Sequence, residues 1–314
     1  MNSLYTVAFY NLENLFDTIK DPNTIERDFL PWGKKFWTEN KYKKKVLKMG
    51  KAISCIAKDK TNKPPVIVGV AEVENASVIQ DLVESKYLKD LNYNFVHYDS
   101  PDERGIDVAL IINEDYFTLN YSECIPLEIY ETNGVKDYTR DALYVNGLLN
   151  KEEIHIIVCH WPSRRGSASA SSHKRVQAAK QINSFIERQQ GITENSKVIL
   201  MGDFNDNPLD ESLKNHLVGP NLYNPFEKLI NITRGSLSHY SKWHLFDQII
   251  FSHNFFKLEK GKHSFQNADI FDNDFLKEWK GRNRGLPFRT FIGNRYLGGY
   301  SDHFPVYINL KKID

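Results

Sequence analysis

What most limits the fold of this chain is a series of short β-type runs that often succeed one another with no helix between them. They are Leu4–Tyr10, Pro65–Ala71, Tyr93–Tyr98, Ile106–Ile112, Ile154–Cys159, Lys197–Met201, Leu245–Phe251 and Phe304–Leu310. Each is rich in Val, Ile, Phe or Tyr and bounded by Gly, Asn, Asp or Pro. Helical periodicity falls between some of them, at about Glu39–Ala57, Ala76–Ser85 and Ser172–Gln189. A doubly wound parallel sheet needs a crossover helix between its strands, and this order lacks several. Two mixed sheets packed face to face, with helices outside, satisfy it. No Pro/Gly/Ser linker divides the 314 residues, so one domain spanning 1–314 is expected. The small polar stretch Ser163–Ser172 runs into a helix and reads as a mobile loop, not a boundary.

Bulk properties exclude several classes. The chain is 41% hydrophobic and 26% charged, ordinary for a globular protein, and no apolar run approaches membrane-spanning length. The N-terminus lacks the basic start, apolar stretch and small-residue cleavage site of a signal peptide, so a cytoplasmic location is the expectation. Cys55, Cys124 and Cys159 are too few and too far apart for a disulfide framework or a thiolate zinc site. A net charge of +1 announces no polyanionic partner, although lysines crowd Lys34–Lys51 and arginines crowd Arg282–Arg295. A lysine run with apolar residues between reads first as a solvated helix face.

The chemistry gathers where strands end. In Gly202-Asp203-Phe204-Asn205, Asp203 and Asn205 stand two apart and can face one way if the chain stays extended. A carboxylate that orients water or takes its proton, beside a neutral amide donor, suits an anionic phosphate ester. Asp302-His303 sets an acid beside an imidazole suited to proton transfer near neutral pH. That imidazole needs an acceptor on its other nitrogen, and Asp247, inside an apolar strand, is the candidate.

Three further strand ends complete the set. Glu72 closes a buried run in Val66–Asn75, where a divalent ion or a basic partner would relieve an otherwise costly acid. The alternative leaves Glu72 in solvent and gives Glu74 or Asn75 the helix cap. Asn11 ends the first strand, where an amide also serves turn backbone groups. His160 ends another strand and is followed by Ser163 and Arg164, candidate phosphate anchors, with Asp107 suggested as its orienting acid. Arg140 can neutralise phosphate or pair with Asp141 or Asp137.

In their order along the chain, Asn11, Glu72, His160, Gly202-Asp203-Phe204-Asn205, Asp247 and Ser301-Asp302-His303 resemble the endonuclease/exonuclease/phosphatase family. The resemblance runs from the first strand to the last, and the paired GDFN and SDHFP blocks carry it. It implies a four-layer α-β-β-α sandwich, a Mg²⁺ or Mn²⁺ ion and hydrolysis of a phosphoester by activated water. It implies Glu72 as main metal ligand, with Asn11 and Asp302 near the ion or its waters. Asp203 would orient or deprotonate the water, and Asn205 would hold a phosphate oxygen. His303, oriented by Asp247, would contact the phosphate and shuttle a proton. His160 would stabilise the pentacoordinate state or protonate the leaving oxygen. Ala71 stands where many nucleases of the family carry Gln, so nothing favours the abasic-site enzymes.

Three functions follow in order. The first is a nuclease-like or general phosphodiesterase, with nucleic acid as one partner. The second is a phosphatase or phospholipase-type enzyme acting on inositol phosphates or lipid headgroups. The third, a non-catalytic binding relative, predicts lost acids or histidines, and none is missing.

Overall fold

The computed structural model describes residues 4–164, 169–188, 196–239 and 242–314. The strands of its two large sheets are β1 (Leu4–Leu15), β2 (Ile67–Val73), β3 (Tyr93–His97), β4 (Asp107–Asn113), β5 (Phe117–Ile125), β6 (Ala142–Leu149), β7 (Glu152–His160), β8 (Lys197–Asp203), β9 (Leu222–Tyr223), β10 (Asp247–Ser252), β11 (His263–Ile270) and β12 (Val306–Lys312). They form two six-stranded mixed sheets, ordered β11-β12-β1-β2-β4-β3 and β9-β10-β8-β7-β6-β5. Helices α1 (Glu39–Cys55), α2 (Ala76–Val83) and α3 (Ser172–Arg188) join them. Asn75 caps α2 by accepting from the Val78 N–H at 3.1 Å. The end of the expected helix at Gln189, and the middle of the Ser163–Ser172 stretch, lie outside the described residues.

The central strands β2, β4, β8 and β10 are almost wholly buried, which is why they read as continuous apolar runs. One core joins Val7, Phe9, Val68, Val70, Ile199 and Met201 between the sheets, and a second packs Ala178, Ile182 and Phe185 of α3 against the outer face. Gly69 sets the spacing at the centre. A Cβ there would come 2.4 Å from the Met201 sulfur in the opposing sheet. Among the described residues no helix is long and apolar enough to cross a membrane, and the three cysteines are free.

The lysine-rich run leads into α1 and fills it, but it is not simply a solvated face. Lys35 lies 4.7 Å from the Phe291 ring centre, Lys41 is 4.8 Å from that of Tyr296, Lys48 is 5.0 Å from that of Tyr300 and Lys51 is 5.1 Å from that of Phe275. Lys45 is fully buried. Its ammonium donates to the carbonyl of Glu13 (2.7 Å), the Thr290 hydroxyl (2.6 Å) and the Tyr300 carbonyl (3.4 Å), and stands 3.8 Å from the Glu13 carboxylate.

Candidate active site

Sheet register brings three site residues side by side. Asp203, the last residue of β8, pairs with His160 on the parallel neighbour β7 and with Asp247 on the antiparallel neighbour β10. Residues paired across strands point to one face, so the three side chains share the sheet's end. In the opposing sheet, Asn11 of β1 pairs with Ala71 of β2, one residue before Glu72. The Asn11 amide donates to Asp203 at 3.0 Å and thereby ties the two sheets together at the site.

Two irregularities aim the remaining groups. The β2–β4 register shifts between Ala71 and Val73, and Glu72 occupies the left-handed region at φ 62°. A bulge of this kind turns a side chain out of strand alternation, at a backbone cost of about 1–3 kcal/mol for a non-glycine residue. Glu13 and Asn14 are left-handed at the matching shift in β1, and the Asn14 N–H donates to Glu72 Oε2 at 2.8 Å. Asn205 is also left-handed (φ 52°), its N–H donating to Asp203 Oδ1 at 3.0 Å and its amide to the Trp161 carbonyl at 3.0 Å.

The polar groups form an unbroken chain. His160 Nε2 stands 4.0 Å from Glu72 Oε1 and 3.9 Å from Asp203 Oδ2. His303 Nε2 lies 4.0 Å from the same Asp203 oxygen and 3.9 Å from Asp302 Oδ1. His303 Nδ1 is 2.7 Å from Asp247 Oδ2, and its backbone N–H donates to the Ser301 hydroxyl at 3.1 Å. Asp302 is held by Arg289 at 2.5 Å.

Burial and neighbouring charge push the two imidazoles apart. Burial disfavours the cation at both. At His303 the carboxylates of Asp247, Asp302 and Asp203 overcome that and hold its pKa well above the ordinary value. At His160 burial is reinforced by Arg140, Arg104 and the charge on His303, and its pKa falls well below 6.5. His303 is therefore the cation and His160 the neutral ring. Burial and the Asp247 charge raise the Asp203 carboxyl to about 7.

The donor set fits a hard divalent cation. Glu72 and Asp302 each have one oxygen engaged, by Asn14 and Arg289 respectively, while the other makes no hydrogen bond among the described residues. Asp203 and Asp247 bring two further carboxylates close by, and Asp247 Oδ1 is buried without a partner among the described residues. Oxygen donors in such a number suit Mg²⁺ or Mn²⁺ better than a soft metal. Asn11 is engaged at both ends, since its Oδ1 accepts from the Glu13 N–H at 2.9 Å.

Several expected roles change. The Asp107–His160 pair does not form. Asp107 accepts from the Ser100 side chain and lies 3.5 Å from His97, because its strand, β4, is in the other sheet from His160. Arg164 is not free to anchor phosphate. It donates to the Asn205 carbonyl (2.7 Å) and to Asp206 (2.8 Å), contacts Asp210, and stacks on Phe246. Arg140 pairs with neither Asp137 nor Asp141; it donates to Asp102 at 3.0 Å and to the Trp161 carbonyl at 3.0 Å. Ser163 lines a cavity beside it. Sequence reasoning missed Glu13, Lys45 and Arg289, which support Asp302, and Arg104, whose guanidinium contacts Asn14. Arg104 lies three residues before Asp107, outside the apolar run that makes the acid conspicuous.

A family model described as "Endonuclease/Exonuclease/phosphatase family" matches residues 6–312. The chain belongs to that family. Its fold is the two-sheet sandwich that the family's members share, and its general activity is phosphoester hydrolysis. Similar solved structures include TDP2 of D. rerio humanized by 14 mutations, at 15% identity and TM-score 0.60, with 98% of each chain covered. Another is the Bacteroides thetaiotaomicron VPI-5482 mannosyl-6-phosphatase Bt3783, at 16% identity and TM-score 0.60, covering 98% of this chain and 99% of that one. The human Nocturnin catalytic domain with bound sulfate aligns at 16% identity and TM-score 0.57, covering 98% of this chain and 93% of that one. No curated protein sequence matches significantly. At these identities the structures establish the fold alone.

Proposed function

We propose that this family member is a Mg²⁺- or Mn²⁺-dependent enzyme that cleaves phosphodiester bonds with activated water, of the nuclease-like or general phosphodiesterase kind. One observation carries the reading: Asp203 Oδ2 lies within 4.0 Å of both a cationic and a neutral imidazole while the Asn11 amide fixes it at 3.0 Å. Asp203 in its ionised form takes the proton of the attacking water. His303 enters as a cation, able to bind the phosphate anion and to return a proton to the departing oxygen. His160, neutral and donating from Nε2, stabilises charge that builds on the equatorial oxygens.

Glu72, with Asp302 and Asn11 beside it, would hold the ion. When bound, it neutralises charge and makes the water more acidic. The test is hydrolysis of bis-p-nitrophenyl phosphate by the purified chain with and without Mg²⁺ or Mn²⁺; no metal-stimulated release of nitrophenol ends the reading. Two substrate classes satisfy this chemistry. One D. rerio TDP2 structure holds a single-strand DNA product, whereas the Bacteroides protein is a mannosyl-6-phosphatase. Strands and small esters therefore both remain compatible with the reacting centre alone.

A further inference from the structure

We infer that the ester cleaved here carries a small, hydroxyl-rich group of the sugar or polyol class, seated in the cavity beside His160. This rests on the phosphoesterase reading above and names its substrate class. The cavity has a volume of about 360 Å³ and is lined by Arg104, Glu131, Thr139, Arg140, Ser163 and Lys174, among others. That is the size of a small-molecule site. It adjoins the reacting centre, because Arg140 donates to the carbonyl of Trp161, the residue after His160.

Two of its groups lack partners. Thr139 is 3% exposed and Arg140 is 7% exposed, yet Thr139 Oγ1 and Arg140 Nε make no hydrogen bond among the described residues. Buried polar atoms are seldom left so, and a bound polar molecule is one resolution. A hydroxyl, which both donates and accepts, pairs with either.

Charge argues against a nucleic-acid strand in this place. Lys174 is bound to Glu131 (2.6 Å) and Asp137 (2.9 Å), and Arg140 to Asp102 (3.0 Å). Those two cations are already neutralised inside the protein, which leaves Arg104, bound to the Asn14 amide oxygen, as a single lining cation against a row of phosphates. The adjoining cavity, about 510 Å³, is lined by Asp21, Glu74, Asp99, Asp102, Glu103 and Asp107 and, among the described residues, by no lysine or arginine. A strand leaving through it would meet carboxylates at each phosphate. Those same oxygens accept hydrogen bonds from hydroxyls readily. Of the lysines of α1, Lys41, Lys48 and Lys51 lie against aromatic rings and Lys45 is buried.

Binding is measured by calorimetry on the full chain carrying Asp203→Asn, with Mg²⁺ present. The probes are the phosphodiesters glycerophosphoinositol, glycerophosphoglycerol and the methyl diester of glucose 6-phosphate, and a short single-stranded oligodeoxynucleotide. At least one sugar or polyol phosphate should bind more tightly than the oligonucleotide, with little dependence on salt. In the active enzyme, Thr139→Val should lower kcat/KM for that ester relative to bis-p-nitrophenyl phosphate by about tenfold, the loss expected when one buried polar contact goes. Thr139→Ser should restore the ratio. Oligonucleotide binding that is tighter and falls steeply with salt overturns the inference, as does failure of all three small esters to bind. An unchanged ratio in Thr139→Val also overturns it. If wild type cleaves no ester, the reaction reading fails, while the binding experiment still decides the pocket.

Discussion

His303 and Asp247 meet at the end of the second sheet, Nδ1 2.7 Å from Oδ2, with the aspartate fully buried. A buried carboxylate so close both fixes the ring and holds its proton. Asp247→Asn keeps the shape but removes the charge that keeps His303 cationic. Turnover should fall by roughly 10²–10⁴-fold. Since His303 acts while protonated, activity is lost as pH rises through its pKa. Lowering that pKa must move the alkaline limb of the rate profile toward lower pH. A variant with wild-type kcat, or an alkaline limb that stays in place, would sink the assignment.

Asp203 titrates in the opposite sense. Its carboxyl is raised to about 7 and serves as a base only when ionised. The rate of the wild type should therefore decline as pH drops below about 7, by tenfold per unit once well beyond it. Asp203→Asn and Asp203→Ala should abolish hydrolysis at every pH, and His303→Ala should do likewise, each with an unchanged circular dichroism spectrum. Near-normal turnover in any of them refutes the mechanism. So does a wild-type profile that is flat from pH 5 to 8, the span that brackets that pKa.

Removing metal should silence the enzyme, and adding back Mg²⁺ or Mn²⁺ should restore it. Glu72 is the half-buried acid with a free oxygen, so Glu72→Gln should raise the metal concentration needed for half-maximal rate by tenfold or more, as loss of a charged ligand does elsewhere. A readout apart from rate is the melting temperature. Ligand that binds only the folded state must raise it, and Mg²⁺ should do so in the wild type but far less in Glu72→Gln. Full activity in excess EDTA contradicts this.

Much of the fold was legible because the central strands are buried on both faces and spell unbroken apolar runs. The expected run Lys197–Met201 and the observed β8 start at the same residue. Edge strands were harder to read. Phe117–Ile125 alternates through Phe117, Leu119 and Tyr121 but is largely exposed, and His263–Ile270 carries Gln266, Asn267 and Asp269, so neither spells an apolar run. Ala142–Leu149 is apolar and mostly buried, a readable pattern that the expected runs do not include. The site residues in the GDFN and SDHFP blocks stood out because polar groups at the ends of buried strands need a reason. Pairings across sheets did not stand out. Nothing in the spacing of Asp107 and His160 says that their strands lie in different sheets. Nor does a lysine's place in a basic run reveal which one turns inward.

Lys45 is that lysine, and it offers the sharpest test of the scaffold. It is the buried cation beneath the bulge at Glu13 and the turn leading to Asp302. Its ammonium satisfies two carbonyls and a hydroxyl and faces a carboxylate that burial has raised to about 7. Lys45→Met fills the space but leaves those acceptors unpaired. Breaking a buried pair from one side costs about 3–5 kcal/mol, which urea unfolding would report directly. Adding Glu13→Gln should recover part of the loss, because the orphaned acid goes with it. Arg289 would still hold Asp302, so the single variant should keep measurable turnover at low temperature. A loss below about 1 kcal/mol, the worth of an exposed pair, would mean that this lysine is not the internal brace its contacts describe.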